Sequence, residues 1–150
     1  GVRTATFDAH LKDIAPDLTV IELLNAQPEF VAPVWDYIDG LVDAERIADG
    51  RAMLDEHAAV LARIEAQYGV DAATVVAVWG VESNYGKLFG RRPVLRSLAT
   101  LACIDRRQAF FRGELFAALQ IVQDGHIAVD DFTGSWAGAF GHTQFMELAS

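Results

Sequence analysis

The sequence predicts a mainly α protein with at most a small β element. Apolar residues recur at helical spacing through most of the chain, glycines stand at or shortly after the ends of those stretches, and only residues 126–133 carry the mixed pattern of a short strand or loop. Taken in order, Pro16-Asp17 followed by Leu18, Ile21 and Leu24 predicts a short helix ending near Gln27-Pro28, because the residue before a proline disfavours the helical region. Pro33 suits the first turn of a second short helix holding Trp35 and Ile38. From Asp43 to Tyr68, Ile47, Leu54, Ala58, Leu61, Ile64 and Tyr68 predict one long amphipathic helix stopped by Gly69. Asp71 caps the next helix, which runs through Asn84 and ends at Gly86, where a left-handed residue is expected. Helices are also expected over Val94–Cys103 and over Arg106–Asp124, the latter stopped by Gly125.

Composition narrows the function classes. The chain has 150 residues, 52% apolar and 22% charged, with a net charge of −9. A chain this apolar is not disordered, and at this length about 68–70% of the unfolded surface can be buried, so residues 1–150 are expected to form one domain. The acidic balance argues against nucleic acid, whose binders cluster Lys and Arg to displace counterions. The longest apolar run, Val75–Val81, has seven residues, against the roughly 20 of a spanning helix, so no transmembrane segment is expected. Cys103 is the only cysteine, which excludes an intrachain disulfide and a thiolate zinc site, and it reads as a small core residue. His10, His57, His126 and His142 lack the spacing of a helical metal site; no metal and no cofactor are expected. The N-terminus Gly1-Val2-Arg3-Thr4 lacks a secretory pattern, which fits either a cytosolic protein or a fragment whose signal is gone.

Three features could carry chemistry. Counting back from Glu82 by three, four and seven gives Trp79, Val78 and Val75, so the carboxylate is expected on its helix's own apolar stripe. Desolvation by that stripe and the nearby helix C-terminus both favour the neutral acid, the form a general acid needs to protonate a leaving oxygen. Spacing alone equally allows a carboxylate paired with an arginine, or one exposed at a frayed helix end. The segment Gly134-Ser135-Trp136-Ala137-Gly138-Ala139-Phe140-Gly141 is so poor in bulky side chains that it fits either close packing or close approach to a ligand. Ser135, Gln144 and the flanking aromatics offer a hydroxyl, an amide and stacking faces suited to neutral sugars. The basic pairs Arg91-Arg92 and Arg106-Arg107 fit either a solvated face or an anchor for an anionic ligand.

Together these residues resemble the lytic murein transglycosylases of the membrane-bound lytic transglycosylase B type, a lysozyme-like family. The resemblance runs in order through Phe7, Gln27-Pro28-Glu29-Phe30, Trp35-Asp36-Tyr37, the long helix, Trp79 to Gly86, Leu98 to Ala102, Arg106 to Phe111, and Gly134 to Met146. It implies a lysozyme-like helical domain and makes Glu82 the single catalytic acid/base. It likewise puts Ser135 and Gln144 on polar sugar contacts, Arg106 and Arg107 on the basic pair lining the groove, Tyr37 on an aromatic wall, and Phe145 beside Gln144 in shaping the cleft.

The implied substrate is the peptidoglycan glycan strand, in the periplasm or cell envelope of a Gram-negative bacterium. Its β-1,4 bond between N-acetylmuramic acid and N-acetylglucosamine would be cleaved without water to a 1,6-anhydro sugar. One carboxylate suffices for such substrate-assisted chemistry, where ordinary glycosidases use two. The sequence departs from the family after Met146, where Glu147-Leu148-Ala149-Ser150 stand in place of the usual Pro-Ser, and at Phe140 and His142, which replace commoner residues. Because family members extend past this point, the C-terminal part of the family fold is expected to be missing. The catalytic domain is thus read as an N-terminal helical part plus a partial lysozyme-like core. The alternatives are a catalytically impaired peptidoglycan-binding fragment or scaffold, and a helical interaction domain with no sugar site.

Overall fold

The structure is a computed structural model that describes residues 1–26 and 33–146. Among these residues the helices are α1 (Thr4–Leu11), α2 (Thr19–Leu24), α3 (Val34–Leu41), α4 (Ala44–Glu56), α5 (Ala58–Tyr68), α6 (Ala72–Ser83), α7 (Val94–Ile104) and α8 (Gln108–Gln123). Two short strands, β1 (Arg92–Pro93) and β2 (Thr133–Gly134), pair antiparallel with Arg92 opposite Gly134, and a 3-10 turn spans Val129–Asp131. The mainly α expectation with a minor β element therefore holds. The segment Gln27-Pro28-Glu29-Phe30 and the closing residues 147–150 lie outside the described residues. The chain divides into two compact units, residues 27–88 and the remainder.

In the unit formed by the chain's first 26 residues and those from Phe89 onward, α7 is the central element. It is apolar on nearly every side and buries Val94, Leu95, Ser97, Leu98, Thr100, Leu101 and Ala102. α8 covers one flank with Phe111, Leu115 and Leu119, α2 adds Val20, and Phe132 closes the core from the segment before β2. A fully buried Leu or Phe of this kind is worth roughly 1.5–3 kcal/mol. Cys103 is exposed, against the expectation of a core residue, because the buried faces of α7 run out at Ala102.

Polar bonds tie the loop before α2 to α7. Asp17 accepts from the Thr19 amide at 3.1 Å and the Thr19 hydroxyl at 2.6 Å, and pairs with Arg92 at 2.7 Å. Its own amide donates to Thr100 Oγ1 at 2.9 Å, while Arg96 donates to the carbonyls of Ala15 and Pro16. One of the two basic pairs is thereby committed to structure through Arg92.

In the other unit, Asp43 and Asp71 cap α4 and α6 by accepting from the Arg46 and Thr74 amides at 2.7 and 3.0 Å. Gly69, with φ 70, ends α5 as expected. The single helix expected over 43–68 is two: the chain turns at His57, with φ −104 and ψ 14, and its ring packs 5.5 Å from that of Trp79. The apolar period continues unbroken through the turn, so periodicity alone reads one helix. Likewise α2 stops at Leu24, where the Asn25 side chain donates to the Ile21 carbonyl at 2.9 Å, ahead of the proline.

Two stability outcomes follow. Ser97 is 1% exposed and its hydroxyl has no hydrogen-bond partner among the described residues, so Ser97→Ala should raise stability by about 1 kcal/mol in urea unfolding; a loss instead would mean the hydroxyl is satisfied. The Thr19 hydroxyl, followed by the Thr19 amide and Arg92, holds the Asp17 carboxyl below its ordinary 3.8. A depressed acid contributes stability above the unfolded value and loses it as pH falls through the folded one. Asp17→Asn should therefore cost about 0.5–1 kcal/mol at pH 7 after solvent screening. Unfolding curves at neutral pH and below pH 3.8 should show that gap closing with acid.

Candidate active site

α6 carries Glu82 in its last turn, and the helix buries Val76, Gly80 and Ser83. Glu82 is exposed, as are Val78 and Val81, so the desolvation expected from an apolar stripe is not present. The reason is composition: α6 is apolar all round, and in such a helix the residues three and four back are apolar from almost any position. Glu82 makes no hydrogen bond or ion pair with the described residues, which removes the reading of a carboxylate paired with arginine.

Its backbone is nevertheless firmly fixed. The helix ends on Asn84 (φ 48) and Tyr85 (φ 56), two left-handed residues ahead of the expected Gly86. The Tyr85 amide reaches back to the Trp79 carbonyl at 3.3 Å and the Asn84 amide to that of Gly80 at 3.0 Å, so two carbonyls of the last turn are satisfied. Ser83 Oγ accepts from the Gly86 amide at 3.1 Å.

The Tyr85 ring then passes against Gly80 and Gly50, and its hydroxyl donates to the Arg46 carbonyl at 2.8 Å. A Cβ at Gly80 would stand 2.5 Å from the hydroxyl oxygen, and one at Gly50 2.6 Å. Burial pushes the Tyr85 phenol above its ordinary value, so it stays a donor at neutral pH. Lys87 pairs with Asp49 of α4 at 2.6 Å, a second tie between α4 and the segment after α6.

In the other unit the Gly134–Gly141 segment is tightly packed. A Cβ on Gly138, which has φ 89, would meet Leu98 at 2.4 Å, and one on Gly134 would meet the Ala139 carbonyl at 2.3 Å. Close packing therefore explains those two glycines. Ser135 is part of the same device: its Oγ accepts from the amides of Ala137 and Ala139 at 3.2 and 3.0 Å, leaving the hydroxyl hydrogen to donate outward.

Gln144 is left-handed, with φ 50, and its Nε2 donates to the carbonyls of Gly141 and Phe89 at 2.8 and 3.3 Å. Two carbonyl acceptors assign that atom as nitrogen and leave Oε1 to accept. His142 meets the Phe89 ring edge-on at 4.9 Å. Phe145 is exposed and bridges antiparallel to Phe140.

Arg106 and Arg107 lie in the turn between α7 and α8, both exposed and neither paired with a carboxylate. Buried Asp105 accepts from the Arg107 amide at 2.6 Å, and the Arg107 guanidinium lies 4.1 Å over the Phe110 ring, a cation–π contact that orients it. Tyr37 is exposed on α3. Among the described residues no three His, Cys, Asp or Glu side chains converge as a metal site would need. Of the sequence-predicted residues, Ser135, Gln144, Phe145, Arg106 and Arg107 belong to one unit, Glu82 and Tyr37 to the other.

Residues 1–148 match the Transglycosylase SLT domain family. The chain belongs to that family. Over 111 residues this SLT domain is 32% identical to the Membrane-bound lytic murein transglycosylase B of Escherichia coli (strain K12), covering 73% of this chain and 31% of the relative. The solved SltB3 of Pseudomonas aeruginosa in complex with NAG-NAM-pentapeptide is 47% identical with a TM-score of 0.88, over 99% of this chain and 40% of that one. Slt35 of Escherichia coli, in complex with bulgecin A, is 27% identical with a TM-score of 0.85, over 97% and 47%. The SLT domain described here thus spans less than half the length of these relatives and shares their helical, lysozyme-like fold.

Sequence reasoning missed Tyr85 as the lock on the α6 terminus, although a bulky residue next to a glycine-flanked helix end was a signal. It also missed Glu114, 1% exposed on α8 among Phe111, Leu115 and Ala118; the test of a carboxylate set on an apolar stripe selects this residue rather than Glu82. Gly80→Ala should destabilise by about 1–3 kcal/mol by driving Tyr85 off its seat. Thermal unfolding checks this, and a variant as stable as the parent would show that the ring has room to move.

Proposed function

We propose that this SLT domain acts as a peptidoglycan lytic transglycosylase with Glu82 as its single acid/base. One observation carries the reading: in a chain of this family, Glu82 is a solvent-open carboxylate with no partner among the described residues, on a rigidly terminated helix. Such a group can both give and take a proton at a bound sugar. Glu82 protonates the β-1,4 glycosidic oxygen between N-acetylmuramic acid and N-acetylglucosamine. The substrate's own N-acetyl group relieves the positive charge developing at C1, which is why no second carboxylate is required. The Glu82 carboxylate then removes the proton of the muramoyl C6 hydroxyl as its oxygen closes on C1. The products are a free 4-hydroxyl and a 1,6-anhydro end, with no water consumed.

Desolvation of the acid would come from the glycan itself covering exposed Val78 and Val81. Ser135 donates through its free hydroxyl hydrogen and Gln144 accepts through Oε1. Phe145 and Tyr37 offer apolar faces to sugar rings, and Arg106 and Arg107 take anionic groups on the strand. Residues 1–150 form an N-terminal helical part and a partial lysozyme-like core of one catalytic domain, working in the periplasm or cell envelope of a Gram-negative bacterium. Among the described residues no helix is long and apolar enough to cross a membrane. The exposure of Glu82 favours a second reading, a peptidoglycan-binding fragment without turnover, because the acid stands open to water.

Digestion of purified sacculi separates the two. Anhydromuropeptides detected by mass, falling at least about 100-fold with Glu82→Gln, support the enzyme; glycan binding without such products supports the binding fragment; neither outcome removes both. Because the overall charge of −9 repels acidic strands, attraction must be local. Arg107→Ala should weaken glycan binding several-fold more at low salt than at high, and equal affinities at both salt concentrations would remove Arg107 from the glycan site.

A further inference from the structure

The stretch from Phe89 to Arg92 is clamped on both sides, and the clamp leaves one arginine unpaired. Gln144 Nε2 donates to the Phe89 carbonyl at 3.3 Å. Gly90, at φ 81, presses on the start of the next segment: a Cβ there would collide with the Gly134 carbonyl and stand 2.8 Å from the Ser135 amide nitrogen. Arg92 is fixed opposite Gly134, and its guanidinium donates to Asp17 at 2.7 Å and to Thr19 Oγ1 at 2.6 Å. Arg96 is engaged by the Ala15 and Pro16 carbonyls. Arg91, between these fixed points, is exposed and makes no hydrogen bond or ion pair with the described residues.

Its placement is set by the ladder. Continued by one residue, the register that pairs Arg92 with Gly134 sets Arg91 opposite Ser135. Opposed residues share a face of a ladder and successive ones alternate. With Arg92 turned to Asp17, Arg91 leaves on the side of Ser135, whose hydroxyl hydrogen its own loop does not use. Arg91, Ser135 and Gln144 all belong to one unit.

We propose that Arg91 is a specificity residue that takes a carboxylate carried by the glycan strand. This rests on the reading of Ser135 and Gln144 as sugar contacts. A hydroxyl hydrogen and an amide oxygen are met equally well by either N-acetylated sugar of the strand, so those two residues do not tell muramoyl from glucosamine units. The carboxylate, on the lactyl ether or on the peptide stem, belongs to the muramoyl unit alone. A guanidinium presents a fork that matches carboxylate oxygens, and here no acidic side chain neutralises it. In a chain of net charge −9, such a fixed and unpaired arginine supplies the local attraction that the overall charge does not.

Binding to the 150-residue chain carrying Glu82→Gln, so that turnover does not consume the probe, tests this. The probes are a stem-bearing glycan strand, the same strand stripped of peptide so that only lactyl carboxylates remain, and uncharged chitotetraose. Arg91→Gln should weaken a carboxylate-bearing strand about three- to fivefold at low salt and leave chitotetraose unchanged, and Arg91→Glu should weaken the strand further. The strand with the larger loss identifies which carboxylate is read. Unchanged affinity for both charged strands, or a loss on chitotetraose as large as on them, would overturn the assignment while leaving the proposed function standing. If the chain with Arg91 intact binds none of the three, the sugar contacts and Arg91 fall together.

Discussion

The seating of Tyr85 is the constraint on which the α3–α6 unit depends. Its ring lies against two helices at the points where each has a glycine, Gly50 on α4 and Gly80 on α6, and its hydroxyl satisfies the Arg46 carbonyl. With the Trp79 ring edge-on at 5.8 Å and His57 on Trp79, one aromatic cluster joins α4, α6 and the turn between α4 and α5. This unit buries few large side chains, Leu61 and Val76 among them, so a single well-seated ring carries an unusual share of its cohesion. The same ring defines where α6 ends, and hence the backbone position from which Glu82 projects.

Left-handed backbone at non-glycine residues marks both motif blocks. Asn84, Tyr85 and Gln144 are the three such residues described, and L side chains resist that conformation by roughly 1–2 kcal/mol each. Two of the three are held by their own side chains: Tyr85 through the Arg46 carbonyl, Gln144 through the carbonyls of Gly141 and Phe89. Strain maintained in this way typically clusters at working sites. It fixes the aim of a polar group at the cost of local stability, which suits the acid/base role proposed for Glu82 and the sugar contact proposed for Gln144.

The polar groups of the Gly134–Phe145 segment divide their bonding capacity between fold and surface. Ser135 accepts two amides to hold its loop and keeps its hydrogen; Gln144 gives both amide hydrogens to carbonyls and keeps its oxygen. Each therefore offers one rigid bonding direction outward. Arg107 gains the same kind of rigidity from the Phe110 face in place of a carboxylate, so its charge is not neutralised. These arrangements rest on partners 2 to 55 residues away in sequence.

The sequence by itself determined the helical class, four helix termini through Asp43, Asp71, Gly69 and Gly125, and the family, because caps, stops and ordered motif blocks are local or collinear signals. It did not reveal the turn at His57, the exposure of Cys103 and Glu82, or the burial of Glu114. Periodicity states that an apolar face exists but not which neighbour covers it, and in a helix apolar all round such as α6 it does not even single out a face. Only tertiary structure decided these points. It alone showed why two glycines flank one tyrosine, and that Arg92 of one basic pair is held by Asp17 while neither arginine of the other pair, Arg106-Arg107, meets a carboxylate among the described residues. Such outcomes depend on which distant groups the packed chain brings within 3 or 4 Å, a property of the fold as a whole and not of any window of residues.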